Sequence, residues 1–321
     1  MSFENTNVTA VVVTYNRLEY LKEIIDALRD QTHKIEKIIV VDNASADGTL
    51  EWLDEQKDII LIRQENVGSS GGQYTGIKSA FEIGSEWIWT MDDDVVPAVD
   101  CLENLLENPP ESHLKQVQGR LFEKGRNLIN THINNEVVNQ VIGMDIIRVP
   151  LRYQPNGKPF YNDVVRYNLR NPFRKFWQEI ISENHLTGKF IPVEGITFEG
   201  PLFHRSVVER IGLPEKNFFI FGDDTEYFLR VRKFNIKIEL CMDARLNRKL
   251  EVLPLKKIHP SRKFYFVRNL IAINVKHGSN AVRLIRPFVI LFLWIFRARS
   301  LSDLKYIIKG FIKGYFYKSD N

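Results

Sequence analysis

Short β-branched apolar runs alternate with helical periodicity through the first hundred residues, and this order constrains the fold more than any other feature. "VTAVVVTY" (8–15) is short and continuously apolar, the pattern of a strand buried on both faces. Leu18, Leu21, Ile24, Ile25 and Leu28 then recur at spacings of three and four, one face of a helix. "KIIVVDN" (37–43) and "IILIRQ" (59–64) read as second and third buried strands. After another helical stretch, "EWIWTM" (86–91) is the fourth. A β-α-β-α order predicts an α/β domain with a mainly parallel sheet and right-handed crossovers.

In such sheets ligands bind beyond the carboxyl ends of the strands. Four polar signatures fall there: "TYNR" (14–17), "DNAS" (42–45), "ENVGSSGG" (65–72) and "DDD" (92–94). The strand pattern rests on hydrophobicity alone, so this clustering is independent information. Adjacent carboxylates repel one another, and Asp92, Asp93 and Asp94 are tolerable together once a dication neutralises them. Mg²⁺ and Mn²⁺ prefer oxygen ligands, and Mg²⁺ commonly shares carboxylates with substrate phosphates. The alternative is a solvated acidic turn before "VVP". "NVGSSGG" lets a nucleotide lie against the backbone, or is only a flexible turn. It is neither GxGxxG nor a lysine-bearing P-loop, which argues against dinucleotide and kinase-type ATP binding.

A second acidic centre, "GDDTE" (222–226), follows some 130 residues later. Acidic residues favour the first turn of a helix, so helix N-capping is the alternative reading, and it can hold in part for Asp223. Asp224 is then free to take a proton from an attacking hydroxyl that displaces a phosphate leaving group. A nucleotide pocket beside a base suits glycosyl transfer better than glycoside hydrolysis, which needs two carboxylates and no nucleotide. Trp87 and Trp89 alternate along a strand and read as core, and His204 reads as a loop or capping residue.

Taken in order, "VVVTYNR", "IIVVDNASADGT", "ENVGSSGGQYTGI", "WIWTMDDDVVP", "FEGPLFHRSVVERIGLP", "FFIFGDDTEYFLR" and "YFVRN" resemble family 2 inverting glycosyltransferases of the GT-A fold. Within that family they are most similar to bacterial galactofuranosyl- and rhamnosyltransferases that build surface polysaccharides. The similarity spans residues 8–100 and 195–275. It implies that Thr14, Asn16 and Arg17 line the nucleotide and diphosphate, with Asp42 and Asn43 near the base or ribose. Asn66, Gly68, Gly71 and Gly72 would let the backbone approach the donor, and Gly200 would leave room for its sugar. Asp92 and Asp93 would belong to the nucleotide site, and Asp94, with Asp92, would hold Mg²⁺ or Mn²⁺. Asp224 would be the general base, with Asp223 and Glu226 positioning the acceptor. Relatives often supply a metal-binding histidine after the strand that follows this helix. Here "CMDARLNRKLEV" has none, and His259 is the nearest substitute.

The resemblance implies a GT-A domain over 1–275, with a nucleotide-binding half (1–100) and an acceptor-binding half (101–275). Residues 105–190, with "NPPE", "QPNGKP" and "RNPFRKFW", read only as loops or an inserted acceptor-side segment. The remainder, 276–321, reads as a basic, apolar helical tail. The chain carries +4, yet residues 281–321 hold eight Lys or Arg against two Asp, so the positive charge belongs to the tail. That placement argues against nucleic acid and for a membrane surface. "PFVILFLWIF" (287–296) is too short to cross a bilayer. Lys305, Lys309 and Lys313 recur every four residues opposite Leu304, Ile307, Ile308, Phe311, Ile312 and Tyr315. The pattern fits a helix lying on anionic lipid, or a homo-oligomer contact with a solvated lysine stripe. Cys101 and Cys241 form no disulfide framework, and the first residues lack a secretory pattern, so a cytoplasmic protein at the inner membrane face is expected. The expected donor is UDP-galactofuranose, with dTDP-rhamnose next, and the acceptor a glycan or lipid-linked sugar. Two other classes compete: a nucleotidyltransferase activating a sugar phosphate, and a non-catalytic glycan- or nucleotide-binding subunit.

Overall fold

The computed structural model describes residues 6–107, 146–251 and 259–319. The first unit runs β1 (Val8–Thr14), α1 (Leu18–Arg29), β2 (Lys37–Asp42), α2 (Thr49–Asp54), β3 (Ile59–Arg63), α3 (Gly68–Glu82), β4 (Trp87–Asp92). Next come β5 (Val95–Pro97), α4 (Cys101–Leu106), β6 (Ile146–Tyr153), β7 (Val164–Tyr167), β8 (Trp177–Ile180), β9 (Phe190–Val193), β10 (Leu202–His204) and α5 (Arg205–Ile211). The last elements are α6 (Asp223–Lys233), β11 (Lys237–Arg248), α7 (Pro260–His277), α8 (Asn280–Ile295) and α9 (Leu301–Tyr315).

Nine of the described strands form one sheet in the order β3-β2-β1-β4-β10-β6-β11-β5, with β9 paired to β11. The pairings β1–β2, β1–β4, β2–β3 and β6–β11 are parallel, while β10 runs antiparallel to both neighbours. The mainly parallel sheet expected from the alternating pattern is present. Successive residues of a strand point to opposite faces, and β1 uses both. Val8, Ala10 and Val12 pack with Leu21, Ile24 and Leu28 of α1 on one side. Val11 and Val13 pack with Ile77 and Ala80 of α3 on the other. One expectation fails at β3, an edge strand that is only half-buried, with Ile60 exposed.

The register brings the polar strand ends together. Thr14 pairs with Asp42 of β2, and Val13 with Asp92 of β4, so parallel neighbours finish at one edge. Trp89 is fully buried and donates its indole N–H to the Gly200 carbonyl at 2.9 Å. Trp87 packs edge-on against His204, whose imidazole caps α5 by accepting from the Ser206 N–H.

The tail is a three-helix layer rather than one lone amphipathic helix. α9 lies against α7 so closely that a Cβ on Gly314 would sit 2.4 Å from the Arg268 carbonyl oxygen. Lys263 of α7 and Asp303 of α9 form a buried ion pair at 2.7 Å. Ile307 is buried against Val267, Ile271, Ile290 and Trp294, with Phe311 and Tyr315 packed beside it. The apolar face expected on α9 is therefore split, because part of it builds this layer. Ile308 and Ile312 remain exposed. The helix α7 also runs through the expected boundary at residue 275, and the loops expected at 108–145 lie outside the described residues.

Candidate active site

The strand ends open onto a cleft of about 450 Å³ that reaches across to the start of α6. Thr14, Arg17, Asn43, Asn66, Gly68 and the Asp92–Asp94 triplet line it together with Asp223 and Asp224. The two acidic centres, far apart in sequence, thus face one space. Asp223 and Asp224 reach it because Gly222, at φ 83°, turns the chain into α6. A carboxylate in that first turn also meets the positive end of the helix.

The three aspartates divide their work. Asp93 is buried and accepts from the Thr14 hydroxyl at 2.8 Å, the Tyr15 N–H at 3.2 Å and the Arg17 guanidinium at 2.7 Å. It therefore fastens the end of β1 to the end of β4. Asp94 accepts from the same Arg17 at 3.0 Å and faces the cleft. Asp92 accepts from Gln73 at 3.2 Å. Burial first, then the charges of Asp94, Asp93 and Glu199, push the Asp92 carboxyl well above its ordinary range. Burial, with the Asp224 charge second, likewise raises Asp223, and burial chiefly raises Asp224.

Six carboxylates and three arginines line the cleft, leaving it negative. Oxygen donors under mutual repulsion fit a hard dication. Among the described residues no three His, Cys, Asp or Glu side chains are close enough to cage an ion alone. An ion in this cleft would be held by Asp94 and Asp92 and completed by a diphosphate and water.

Several expected residues sit elsewhere. His259 is exposed, lies outside the cleft, and caps α7, its Nδ1 2.8 Å from the Ser261 hydroxyl. Arg262, one turn on, lines the cleft instead. Glu226 turns away from both Asp224 and the cleft. Its carboxylate accepts from Arg230 at 3.0 Å and meets Lys276 at 2.9 Å and His277 at 3.2 Å. Burial would raise this carboxyl, but the His277 hydrogen bond and the Arg230 and Lys276 charges outweigh it and hold it at about 2. Its ordinary value is 4.5, so the stability it contributes is complete above that pH and is lost as the pH falls towards 2. Glu226→Gln is expected to cost about 2 kcal/mol, a moderate figure because Lys276 is partly exposed. Urea unfolding measures this, and turnover per folded molecule should survive. A collapse of turnover at unchanged stability would return Glu226 to the acceptor-positioning role.

Glycines show the same division. A Cβ on Gly68, at φ +76°, would lie 1.9 Å from the Phe219 carbonyl oxygen, so only glycine lets the loop before α6 close over α3. Gly71 and Gly72 serve packing, against Val67 and against Val13 of β1. At Gly200 the space is filled by Pro150 and Leu246, so it makes room for protein rather than for a donor sugar. Asn16 lies outside the cleft lining, and its side chain accepts from the Ala46 N–H at 2.7 Å. Asp42 is fully buried behind Asn43, with Oδ1 taking the Ser45 N–H and Oδ2 without a hydrogen bond.

Sequence reasoning missed Glu199, Arg248 and Arg262, all of which line the cleft. Glu199 stood inside the quoted "FEGPLF", beside Gly200, and its charge was the available signal. It meets Arg248 at 3.3 Å and the wholly buried Arg152 at 3.6 Å.

Comparison with known proteins identifies the family and the fold. The family model described as "Glycosyl transferase family 2" matches residues 9–209. Galactofuranosyltransferase GlfT1 of Mycolicibacterium smegmatis is 28% identical over 247 residues, covering 74% of this chain and 69% of that protein. The dTDP-rhamnosyl transferase RfbF of Shigella flexneri is 23% identical over 296 residues, covering 89% and 86%. A crystal structure of GalNAc-T7 with UDP, GalNAc and Mn²⁺ superposes with a TM-score of 0.61 at 13% identity. That match covers 98% of this chain and 55% of the other, so the chain spans about half its length. S. aureus TarS 1–349 gives a TM-score of 0.51 at 13% identity, over 97% and 81%. At such identities the structural likeness concerns the fold.

Proposed function

The chain belongs to glycosyl transferase family 2, in its galactofuranosyl- and rhamnosyltransferase branch, and from this we propose a metal-dependent inverting transfer from a nucleotide-diphosphate sugar. One observation carries the reading: Asp224 shares a cleft with Asp92 and Asp94, although 130 residues separate them in sequence. In the proposed step Asp224 accepts the proton of the acceptor hydroxyl as its oxygen bonds to the anomeric carbon. The bond from that carbon to the diphosphate breaks with its electron pair, and the configuration inverts. A bound Mg²⁺ or Mn²⁺ would neutralise charge on the departing diphosphate. Arg17 and Arg262 add positive charge where that charge develops. The amino end of α3, at Gly68 and Ser69, also faces the cleft and favours anions.

The donor favoured by the relatives' names is UDP-galactofuranose, with dTDP-rhamnose next. A panel of nucleotide sugars, assayed with Mn²⁺ and a generic lipid-linked acceptor, tests this. Turnover with UDP-galactofuranose and release of UDP is the expected result. Release of pyrophosphate from a nucleoside triphosphate would instead favour sugar-phosphate activation.

The tail suggests where this happens. No helix among the described residues is long and apolar enough to cross a membrane. Yet among the described residues ten of the eighteen exposed large apolar side chains lie between 284 and 316, including Leu284, Phe288 and Phe292 of α8 and Phe296 just past its end. Lys305, Lys309 and Lys313 are all exposed beside them. An apolar stripe with basic flanks fits an anionic bilayer interface. Each lysine contributes about 1 kcal/mol there, so Lys305/Lys309/Lys313→Gln should weaken partitioning by on the order of 100-fold. Liposome flotation measures it. Undiminished flotation would leave the lysines as a solvated face.

A further inference from the structure

A second cavity, of about 480 Å³, adjoins the first, and Thr197, Glu199, Phe221, Asp224 and Arg248 line both. Asp224 therefore stands at the passage between them. The strand-end aspartates all lie on one side of that passage and none lines the second cavity. Its walls are aromatic instead. Trp177, half-buried on β8, meets Phe176 edge-on at 5.1 Å. Across from this ribbon, Phe221 and Phe266 of α7 pack edge-on at 5.7 Å. Phe160 lies under the Arg248 guanidinium at 4.4 Å. Polar groups are few, chiefly Asn162, Thr197 and Thr225 beside Asp224.

The geometry points to an acceptor subsite that takes the terminal ring of a neutral glycan, its apolar face on the aromatic wall and its attacking hydroxyl at Asp224. This rests on the glycosyl-transfer reading and adds the acceptor class to it. An inverting displacement needs the nucleophile on the side of the anomeric carbon opposite the diphosphate, which is the second cavity if the diphosphate lies by Asp94. Neutrality follows from charge. Among the charged lining residues Arg248 is matched by Glu199, which leaves Asp224 as uncompensated negative charge. A uronate or phosphate would meet that charge with no cation left to pair it. An alkyl chain would strip water from the Asp224 carboxylate and offer no donor in its place. A sugar ring satisfies both kinds of wall, with apolar CH groups on one face and hydroxyls at the rim. The β7–β8 ribbon that carries Trp177 lies in the stretch where the sequence offered only loops.

Saturation-transfer NMR with an octyl pyranoside and the matching uronide tests the subsite without requiring turnover. Wild type should contact the neutral glycoside and discriminate against the uronide by about tenfold or more. Trp177→Ala should weaken glycoside binding about tenfold at unchanged UDP affinity, and Trp177→Phe should restore most of it. Ile180, exposed on the same cavity, provides a variant with little risk to folding, and Ile180→Trp should obstruct the glycoside. Equal binding of glycoside by wild type and variants, or equal binding of the uronide, overturns the subsite. Glycoside binding with these properties but no transfer from any nucleotide sugar would count against the transfer reading alone.

Discussion

Asp224→Asn is expected to lower turnover by ~10²–10⁴-fold, the usual range for loss of a general base, while UDP affinity stays close to wild type. The amide keeps the shape of the carboxylate but cannot take a proton. In the proposed reading the donor is held by the opposite wall of the cleft, lined by Thr14, Asn43 and the triplet, none of which the substitution touches. The pH profile gives a second reading of the same residue. Burial chiefly, with the Glu199 charge adding and Arg152 opposing, holds the Asp224 carboxyl above the ordinary carboxylate range. A base works only when ionised, so wild-type turnover should fall as the pH drops through that raised value. The acid limb will lie at higher pH than for an exposed aspartate, and the residual rate of the variant will lack it. Steady-state rates across pH, with UDP titrations alongside, measure both effects. Full activity in the variant would transfer the role to Asp223, whose carboxyl burial also raises.

The second large effect is expected at Asp94→Asn. The gain in UDP affinity on adding Mn²⁺ should disappear, and turnover should fall by on the order of 10²-fold. The fold should survive, because the bonds that tie β1 to β4 converge on Asp93 rather than Asp94. Arg17, freed from Asp94, keeps its shorter contact to Asp93 at 2.7 Å. Calorimetric titration of UDP with and without Mn²⁺, beside a thermal unfolding curve, separates metal loss from unfolding. An Asp94→Asn protein with the wild-type Mn²⁺ gain would remove Asp94 from the metal site.

These two residues illustrate how differently the sequence reports on a site. That Asp94 faces the cleft was legible from its position at the end of an apolar strand, whereas the different contacts of Asp93 and Asp94 were not. Neighbouring residues at a strand end point in different directions, and only the position of Arg17 and Thr14 decides which carboxylate is consumed by the fold. Glu226 is the helical counterpart. It lies two residues beyond Asp224 on α6, roughly 200° around the helix, so a motif that reads as one acidic cluster is split between a cleft and a buried cation group. His259 failed for another reason: a histidine before Pro260 sits where a helix needs a cap, and the cap claimed its Nδ1.

By itself the sequence determined the parallel sheet, because strands buried on both faces must be short, β-branched and continuously apolar. It also determined which edge would carry chemistry, because parallel neighbours end on the same side. Tertiary structure alone decided the rest. The short strands β5, β9 and β10 have too few residues to show a period, so their insertion beside β4 and β11 could not be read. Glu199 and Arg248 meet only because β10 runs antiparallel next to β4 and β11 returns beside β6. The tail helices follow the same rule. Amphipathic periodicity marks an apolar face on α9 but not its partner, and close approach to α7 at Gly310 and Gly314 consumed half of that face. A periodic pattern specifies that a surface must be covered, whereas what covers it depends on contacts between residues far apart in the chain, which no local pattern encodes.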